Sequence, residues 1–330
     1  MENKIISVVT GGTGFVGSNL VDLLLEKGHE VRCIVRKTSS LKWLKDKPVK
    51  LYDCGLLDKE PLKEVLENAD FLYHVAGVVK AKKPEGYTKG NVDTTRVLLE
   101  TCLDVNPKIK RVVIISSQTA CGPSIGGHTC DEETLPHPIT NYGRSKWQQE
   151  QLVAKYMDKL AITVCRPPAV YGQRDTDIFL VFQAFSRRIM TLIGFDKKKV
   201  SLINVKDLAR GIFLSSQSEK AKGETYFITS SEFYDWYQVG AAMAKVMNKK
   251  AVKIKIPHSV VYFLASLSQF FAMFKKEATI FNIEKARDMV QTHWTCNGEK
   301  AEKDFGFRQE ISLEEGIKQT VAWYKEQKWL

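Results

Sequence analysis

The chain has 330 residues, 44% hydrophobic and 26% charged, a composition that excludes a disordered, fibrous or membrane-embedded protein and suits one large domain or two smaller ones. Lysine and arginine number 49 against 38 acidic residues, and the net +11 suits an acidic partner such as a phosphorylated cofactor, an anionic membrane surface or nucleic acid. Seven cysteines, at 33, 54, 102, 121, 130, 165 and 296, are never spaced as CxxC; this argues against a disulfide framework or zinc ribbon and for a reducing cytoplasm.

The N-terminus runs from Met1 through Ile5, Ile6, Val8 and Val9 straight into glycines. It lacks the basic and apolar segments of a signal peptide and reads as a first strand. Short β-branched runs near 5–9, 31–35, 71–75, 111–115 and 162–165 read as strands buried on both faces of a parallel sheet. Between them, Ser18 to Glu26 places Leu20, Leu23 and Leu24 on one helical face, and Asn91 to Asp104 does the same with Val92, Thr95, Leu98, Leu99 and Cys102. Such alternation predicts a doubly wound α/β sheet over residues 1–170. Segments at about 200–230 return to it, with a helix from Asp207 to Ser215 and a strand from Glu224 to Thr229. Residues 171–199 and 231–330 are expected to form mainly a smaller substrate-binding lobe.

Within that lobe the most apolar stretch, Val260 to Phe274, is interrupted by Ser266, Ser268 and Gln269 and is shorter than the ~20 residues of a membrane span. Two readings stand. It is either a buried helix with solvated lysines, or the wall of a pocket for a lipid-like or polycyclic ketone that rests on an anionic membrane through Lys253, Lys255, Lys275 and Lys276.

Thr10-Gly11-Gly12-Thr13-Gly14-Phe15-Val16-Gly17 follows the first strand and opens the first helix. In that context Gly11 permits a tight turn, Gly14 lets the backbone approach a pyrophosphate, and Gly17 lets helix and strand pack closely. The helix N-terminus offers free N–H groups to phosphates, so the fold is expected to be a Rossmann-type dinucleotide-binding sheet. An acidic residue that would hold an NAD ribose is missing after the second strand, where the chain reads Val35-Arg36-Lys37-Thr38-Ser39. Arg36 can pair with a 2′-phosphate, which favours NADP(H) and leaves NAD(H) as the alternative, because an arginine can also stack on adenine.

The glycine spacing and chain length resemble the extended branch of the short-chain dehydrogenase/reductase superfamily, the NAD-dependent epimerase/dehydratase family. The resemblance continues in His74-Val75-Ala76-Gly77, Asn91-Val92-Asp93-Thr94-Thr95, Arg166-Pro167-Pro168-Ala169-Val170-Tyr171-Gly172 and a last helix over Ser312 to Trp323. It implies a cofactor site built from Gly11, Thr13, Gly14, Phe15, Val16, Gly17, Arg36, Lys37, Leu56, Ala76, Gly77, Tyr142, Lys146, Pro167 and Val170. One departure is Gly55, which stands where relatives often carry an adenine-contacting Asp before Leu56.

Tyr142-Gly143-Arg144-Ser145-Lys146 sets a phenol and an ammonium at i and i+4, on one helical face. A neighbouring Lys⁺ and an oxidised nicotinamide would favour the phenolate of a tyrosine that otherwise titrates near pH ~10. The resemblance implies a catalytic hydroxyl at the end of the preceding strand, Ile114-Ile115-Ser116-Ser117; Ser117 is the assignment, with Ser116 or Thr119 as alternatives. Tyr142 would then donate a proton, Lys146 lower its pKa and hold the nicotinamide ribose, and Ser117 orient the reacting oxygen.

For the substrate, Ala169 stands where many sugar-nucleotide members carry Asn, and the segment is most similar to the dihydroflavonol reductase and 3β-hydroxysteroid dehydrogenase groups. The expected activity is NADP(H)-dependent reduction of a ketone, or oxidation of the alcohol, on a hydrophobic small molecule. A nucleotide-sugar epimerase or dehydratase and a non-catalytic NADP(H)-sensing protein are the alternatives. Relatives are often dimers, so a homodimer is expected. Cys121, His128, Cys130 and His137 share a loop, expected to be variable, whose spacing matches no common zinc pattern, and no metal is expected. His29, His74, His258 and His293 read as structural. Lys197-Lys198-Lys199 and Lys249-Lys250 read as solvated rather than as a nucleic-acid surface.

Overall fold

The apolar runs become strands β1 (Ile6–Thr10), β2 (Glu30–Val35), β4 (Phe71–His74), β5 (Arg111–Ile115) and β6 (Ile162–Arg166) in a computed structural model that describes residues 4–273 and 281–330. A further strand, β3 (Val49–Asp53), has no apolar run, because it lies at the sheet edge with its residues exposed or half-buried and is recruited by backbone pairing from Val31 with Val49 to Val35 with Asp53. With Thr225–Phe227 these form a seven-stranded sheet in the order Thr225–Phe227, β6, β5, β4, β1, β2, β3, every neighbouring pair parallel. The order reverses between β1 and β4. Their C-terminal residues Thr10 and His74 are paired there, at the switch point where a doubly wound sheet opens a ligand crevice.

Both sheet faces are covered, so the strands read as continuous hydrophobic runs. Leu20 and Leu24 of helix Phe15–Glu26 share one core with Leu208 and Ile212 of helix Val205–Gln217. Leu62 and Leu66 share the other with Leu98, Leu99 and Val153. Each such fully buried leucine contributes about 1.5–3 kcal/mol over an exposed one. The smaller lobe has its own core of Phe182, Phe185, Tyr234, Val239, Ile317 and Tyr324. Lys199–Asn204 pairs there with Ala169–Tyr171, Phe233–Asp235 and His293–Trp294, so among the described residues of the second half only Thr225–Phe227 joins the central sheet. The last helix spans Leu313–Glu326, with the Ser312 hydroxyl accepting from the Glu315 N–H.

The apolar stretch forms helix His258–Met273; Phe274, Lys275 and Lys276 lie outside the described residues. It is not the buried helix of the first reading. Val261, Ala265 and the half-buried Tyr262 pack with Ala286 and Val290, while Val260, Phe263, Leu264, Leu267, Phe270 and Phe271 are 40–66% exposed. Among the described residues no helix is long and apolar enough to cross a membrane.

Candidate active site

The glycine loop folds tightly at the mouth of the crevice. Gly11 has φ +70°, and a Cβ there would meet the Ala76 backbone nitrogen at 2.7 Å, so the turn closes on the end of β4 only through glycine. A Cβ on Gly17 would collide with the Gly11 carbonyl. Gly14 leads into helix Phe15–Glu26 with no side-chain cap and no acidic residue in the first turn. The N–H groups of Phe15, Val16 and Gly17 and the positive end of the helix dipole are thereby left for an anion, beside the half-buried Thr13. Arg36 and Lys37 are exposed just past β2, in a turn closed by the Ser39 N–H donating to the Arg36 carbonyl at 2.8 Å. Gly55 also has positive φ, +64°, and donates to the Val35 carbonyl at 3.2 Å, a backbone conformation an Asp would adopt only under strain. Leu56 is half-buried behind it. This uncapped helix start between paired strand ends fits a dinucleotide diphosphate.

The proton-transfer candidates sit one strand further on. Thr140 caps helix Asn141–Ala154 by accepting from the Gly143 N–H at 3.1 Å, which fixes the turn that carries Tyr142 and Lys146. Past β5, Ser117 caps the short helix Gln118–Cys121; its Oγ accepts from the Thr119 N–H at 3.2 Å and from the Thr119 hydroxyl at 2.9 Å, and it hydrogen-bonds the Tyr142 phenol. Ser116 turns the other way and donates to Glu150 at 2.5 Å, a carboxylate also gripped by Arg166 at 2.6 Å. Of the three candidate hydroxyls, Ser117 is the one at the phenol, and Thr119 supports it.

The electrostatics depart from expectation. Burial pushes the Tyr142 phenol up to about 12; the Ser117 bond works against this, and Asp288 and Tyr87 add to it. The Tyr87 ring is 6.4 Å away, centroid to centroid. Lys146 is not among the groups that shift the phenol. Its ammonium is held instead by the Ile115 carbonyl at 2.7 Å and Gln149 Oε1 at 2.8 Å, and it lies 3.4 Å from where a Cβ on Gly77 would stand. Burial brings Lys146 down to about 8 against the pull of Glu150. At neutral pH the site therefore carries a protonated phenol and a charged lysine on the crevice floor.

A buried polar chain joins that lysine to the glycine loop. Gln149 Nε2 donates to Thr95 Oγ1 at 2.8 Å, and Thr95 spends its own proton on the Asn91 carbonyl at 2.6 Å. His74 Nε2, 2.9 Å from Thr95 Oγ1, must then be the donor, leaving Nδ1 to accept from Thr10 Oγ1 at 2.8 Å. Burial and the nearby Lys146 hold His74 down to about 3, so it is neutral. Thr10 Oγ1 also accepts from the Ala76 N–H at 3.1 Å. Asn91 lies in a π-helical turn, Lys89–Asp93, so the α-helix predicted from Asn91 begins only at Thr94. The wide turn lets the Asn91 amide bond Val78 N–H at 2.7 Å and Ser145 Oγ at 2.9 Å. Behind the site, the buried Pro167 accepts from the Gln118 N–H at 2.8 Å, and the half-buried Val170 packs into the core.

The smaller lobe supplies a lid element that the sequence does not announce. In helix Ile283–Val290, Glu284 accepts from the Asn141 N–H, and Arg287 donates to the Ile139 carbonyl at 3.1 Å. Asp288 lies one turn after Glu284, on the same face. Lys198 caps the helix end, donating to the Val290 carbonyl at 2.7 Å and the Gln291 carbonyl at 2.9 Å; it is buried, which corrects its reading as solvated. The Cys121–His137 loop is anchored at Cys121 and Cys130, while residues 125–128 are exposed. Cys130 N–H donates to the Thr295 carbonyl at 3.0 Å, and Cys121, Cys130 and Cys296 pack with Phe227. Among the described residues no cluster of His, Cys, Asp or Glu could hold a metal ion.

Residues 7–229 match the NAD dependent epimerase/dehydratase family. The chain is 27% identical to a ceramide reductase of Caulobacter vibrioides, covering 98% of this chain and 96% of that one. It is 31% identical to a putative dihydroflavonol 4-reductase of Synechocystis, over 67% of this chain and 66% of that one. A mouse sterol-4-alpha-carboxylate 3-dehydrogenase, decarboxylating, is 25% identical, with 95% and 89% covered. Among solved structures, UDP-glucose 4-epimerase from Thermotoga maritima has the same fold, with a TM-score of 0.80 at 20% identity and 98% of this chain and 100% of that one covered.

Proposed function

The chain belongs to the NAD dependent epimerase/dehydratase family and is an NAD(P)-dependent enzyme, and from that premise we propose that it reduces a ketone on a hydrophobic, lipid-like small molecule with NADP(H). The observation that carries this reading is the protonated Tyr142 phenol, bonded to Ser117, at the mouth of a dinucleotide crevice. A dinucleotide held by the glycine loop, with Arg36 and Lys37 at its 2′-phosphate, would supply hydride to the carbonyl carbon. Tyr142 passes its hydroxyl proton to the carbonyl oxygen, so the ketone becomes the alcohol. Ser117 aligns that oxygen. Lys146, at the Gly77 floor, would hold the nicotinamide ribose and keep positive charge beside the developing tyrosinate.

Relatives named for a ceramide, a sterol and a farnesylated quinoline support a lipid-like substrate. The exposed apolar side chains of helix His258–Met273, preceded in sequence by the exposed Lys253 and Lys255, support delivery from an anionic membrane surface. A panel of long-chain ketones, offered to the purified protein with NADPH, should give net loss of NADPH absorbance. Tyr142→Phe should retain cofactor binding and lose about 10²–10⁴-fold in turnover. Retained activity in that variant removes Tyr142 from the reaction, and interconversion of a nucleotide sugar without net consumption of cofactor replaces the reductase reading with an epimerase.

A further inference from the structure

Helix Ile283–Val290 is bonded to the turn that carries Tyr142, through Glu284 to the Asn141 N–H and Arg287 to the Ile139 carbonyl. Residues 284 and 288 are one turn apart and share a face, so the tie made by Glu284 brings Asp288 over the same site. The field of the Asp288 carboxylate reaches the Tyr142 phenol, adding to the larger effect of burial. Yet Asp288 Oδ1 is buried and accepts no hydrogen bond among the described residues. Other charges near it, Glu284, Lys285 and Arg287, belong to its own helix, and the Trp294 indole N–H goes to the Asp288 backbone carbonyl at 3.0 Å rather than to the side chain. A buried acceptor without a donor is costly, and native proteins rarely keep one without use.

We infer that Asp288 is a specificity-determining residue that accepts a hydrogen bond from a hydroxyl or amide N–H next to the reacting ketone and turns away substrates with a carboxylate there. This rests on the ketone-reductase reading of the same site and narrows it to neutral, donor-bearing ketones. The logic is that of a site built around a polar group. A substrate that supplies the donor relieves the orphaned oxygen, one that lacks it leaves the desolvated carboxylate unpaired, and an anionic one meets like charge in a low-dielectric cleft.

The test compares three ketones of equal chain length: one with a hydroxyl on the adjoining carbon, one without it, and one with a carboxylate in its place. Wild type is expected to show kcat/KM at least tenfold higher for the hydroxy ketone than for the plain one, with the carboxylate poorest. Asp288→Ala should bring the hydroxy/plain ratio close to one. Asp288→Asn, which keeps a carbonyl acceptor without the charge, should retain part of that ratio and improve the carboxylate substrate at least tenfold. A structural defect would lower all three substrates together and leave the ratios alone. Ratios in Asp288→Ala equal to those of wild type, or no donor preference in wild type itself, overturn the inference while leaving ketone reduction intact. Wild type that reduces none of the three with NADPH or NADH overturns the reductase reading, and the inference falls with it.

Discussion

The main chain of Gly143 lies so close to the carbonyl oxygen of Thr119 that no Cβ fits between them. That contact presses the Tyr142 helix onto the short helix capped by Ser117 and sets the phenol–hydroxyl bond. The atom in the way is backbone, which cannot rotate aside. Gly143→Ala should therefore destabilise the protein by about 1–3 kcal/mol and lower turnover by more than the stability loss explains, because Ser117 and Tyr142 are pushed apart. Thermal unfolding and kcat on the same preparation check it. Wild-type turnover in the alanine variant would show that the contact does not set the catalytic geometry.

The pH profile of reduction should be governed by Lys146. Its folded pKa, about 8, lies below its ordinary 10.5, so the buried ammonium is charged below about 8 and lost above it. Reductive kcat/KM is expected to fall as pH rises through about 8, while Tyr142, pushed up to about 12, stays protonated throughout that range. In stability the sign is opposite. The cost of burying the charge is fully present below about 8 and is relieved between there and 10.5, by up to roughly 3 kcal/mol. Gln149→Glu places a carboxylate on the ammonium and should move the alkaline limb upward; an unmoved limb assigns it to another group.

Cofactor preference should follow Arg36, which stands exposed after β2 with no acidic neighbour in the Val35–Ser39 turn. Arg36→Glu should weaken NADPH binding at least tenfold and leave NADH unchanged or tighter, as expected for replacing a charge-assisted bond by like-charge repulsion. Fluorescence titration of both dinucleotides measures it. Tighter binding of NADH than of NADPH by wild type would reverse the assignment.

The elements legible in the sequence are those whose physics is local. A glycine loop between an apolar run and a helix, and a tyrosine four residues before a lysine, announce themselves by spacing. Strand β3 does not, because it exists through pairing with β2 and buries little of its own. The state of Tyr142 is equally hidden: spacing puts Lys146 on its face, but Ile115 and Gln149 hold the ammonium, and the phenol is raised by burial first, with a smaller contribution from Asp288 in the other lobe. Apolar composition marks Val260 to Met273 as a helix without saying which side is covered; only the packing of Val261 and Ala265 on Ala286 decides that.

That uncovered face should bind membranes. Phe263 and Leu267, 66% and 42% exposed, contribute little to the folded core, so replacing both by serine should leave thermal stability nearly unchanged. Wild type should co-sediment with vesicles containing phosphatidylserine more than with phosphatidylcholine alone, and the double variant should lose that binding. Equal sedimentation with both vesicle types removes the membrane from the account.

A carboxylate retained for substrate recognition should weaken the fold that carries it. Burial raises Asp288 to about 6, above its ordinary 3.8, so the folded protein holds its proton more firmly than the unfolded chain. The penalty is absent below 3.8, grows as pH rises to about 6 and is complete above that. Asp288→Asn should accordingly be more stable than wild type at pH ~7, by roughly 1–3 kcal/mol, and the advantage should shrink as the solution is acidified through the folded pKa. Denaturant unfolding of both proteins across that range reads the difference directly. A variant less stable than wild type at neutral pH would mean that the carboxylate holds the lobe in place, and the stability cost expected of an orphaned charge would not exist.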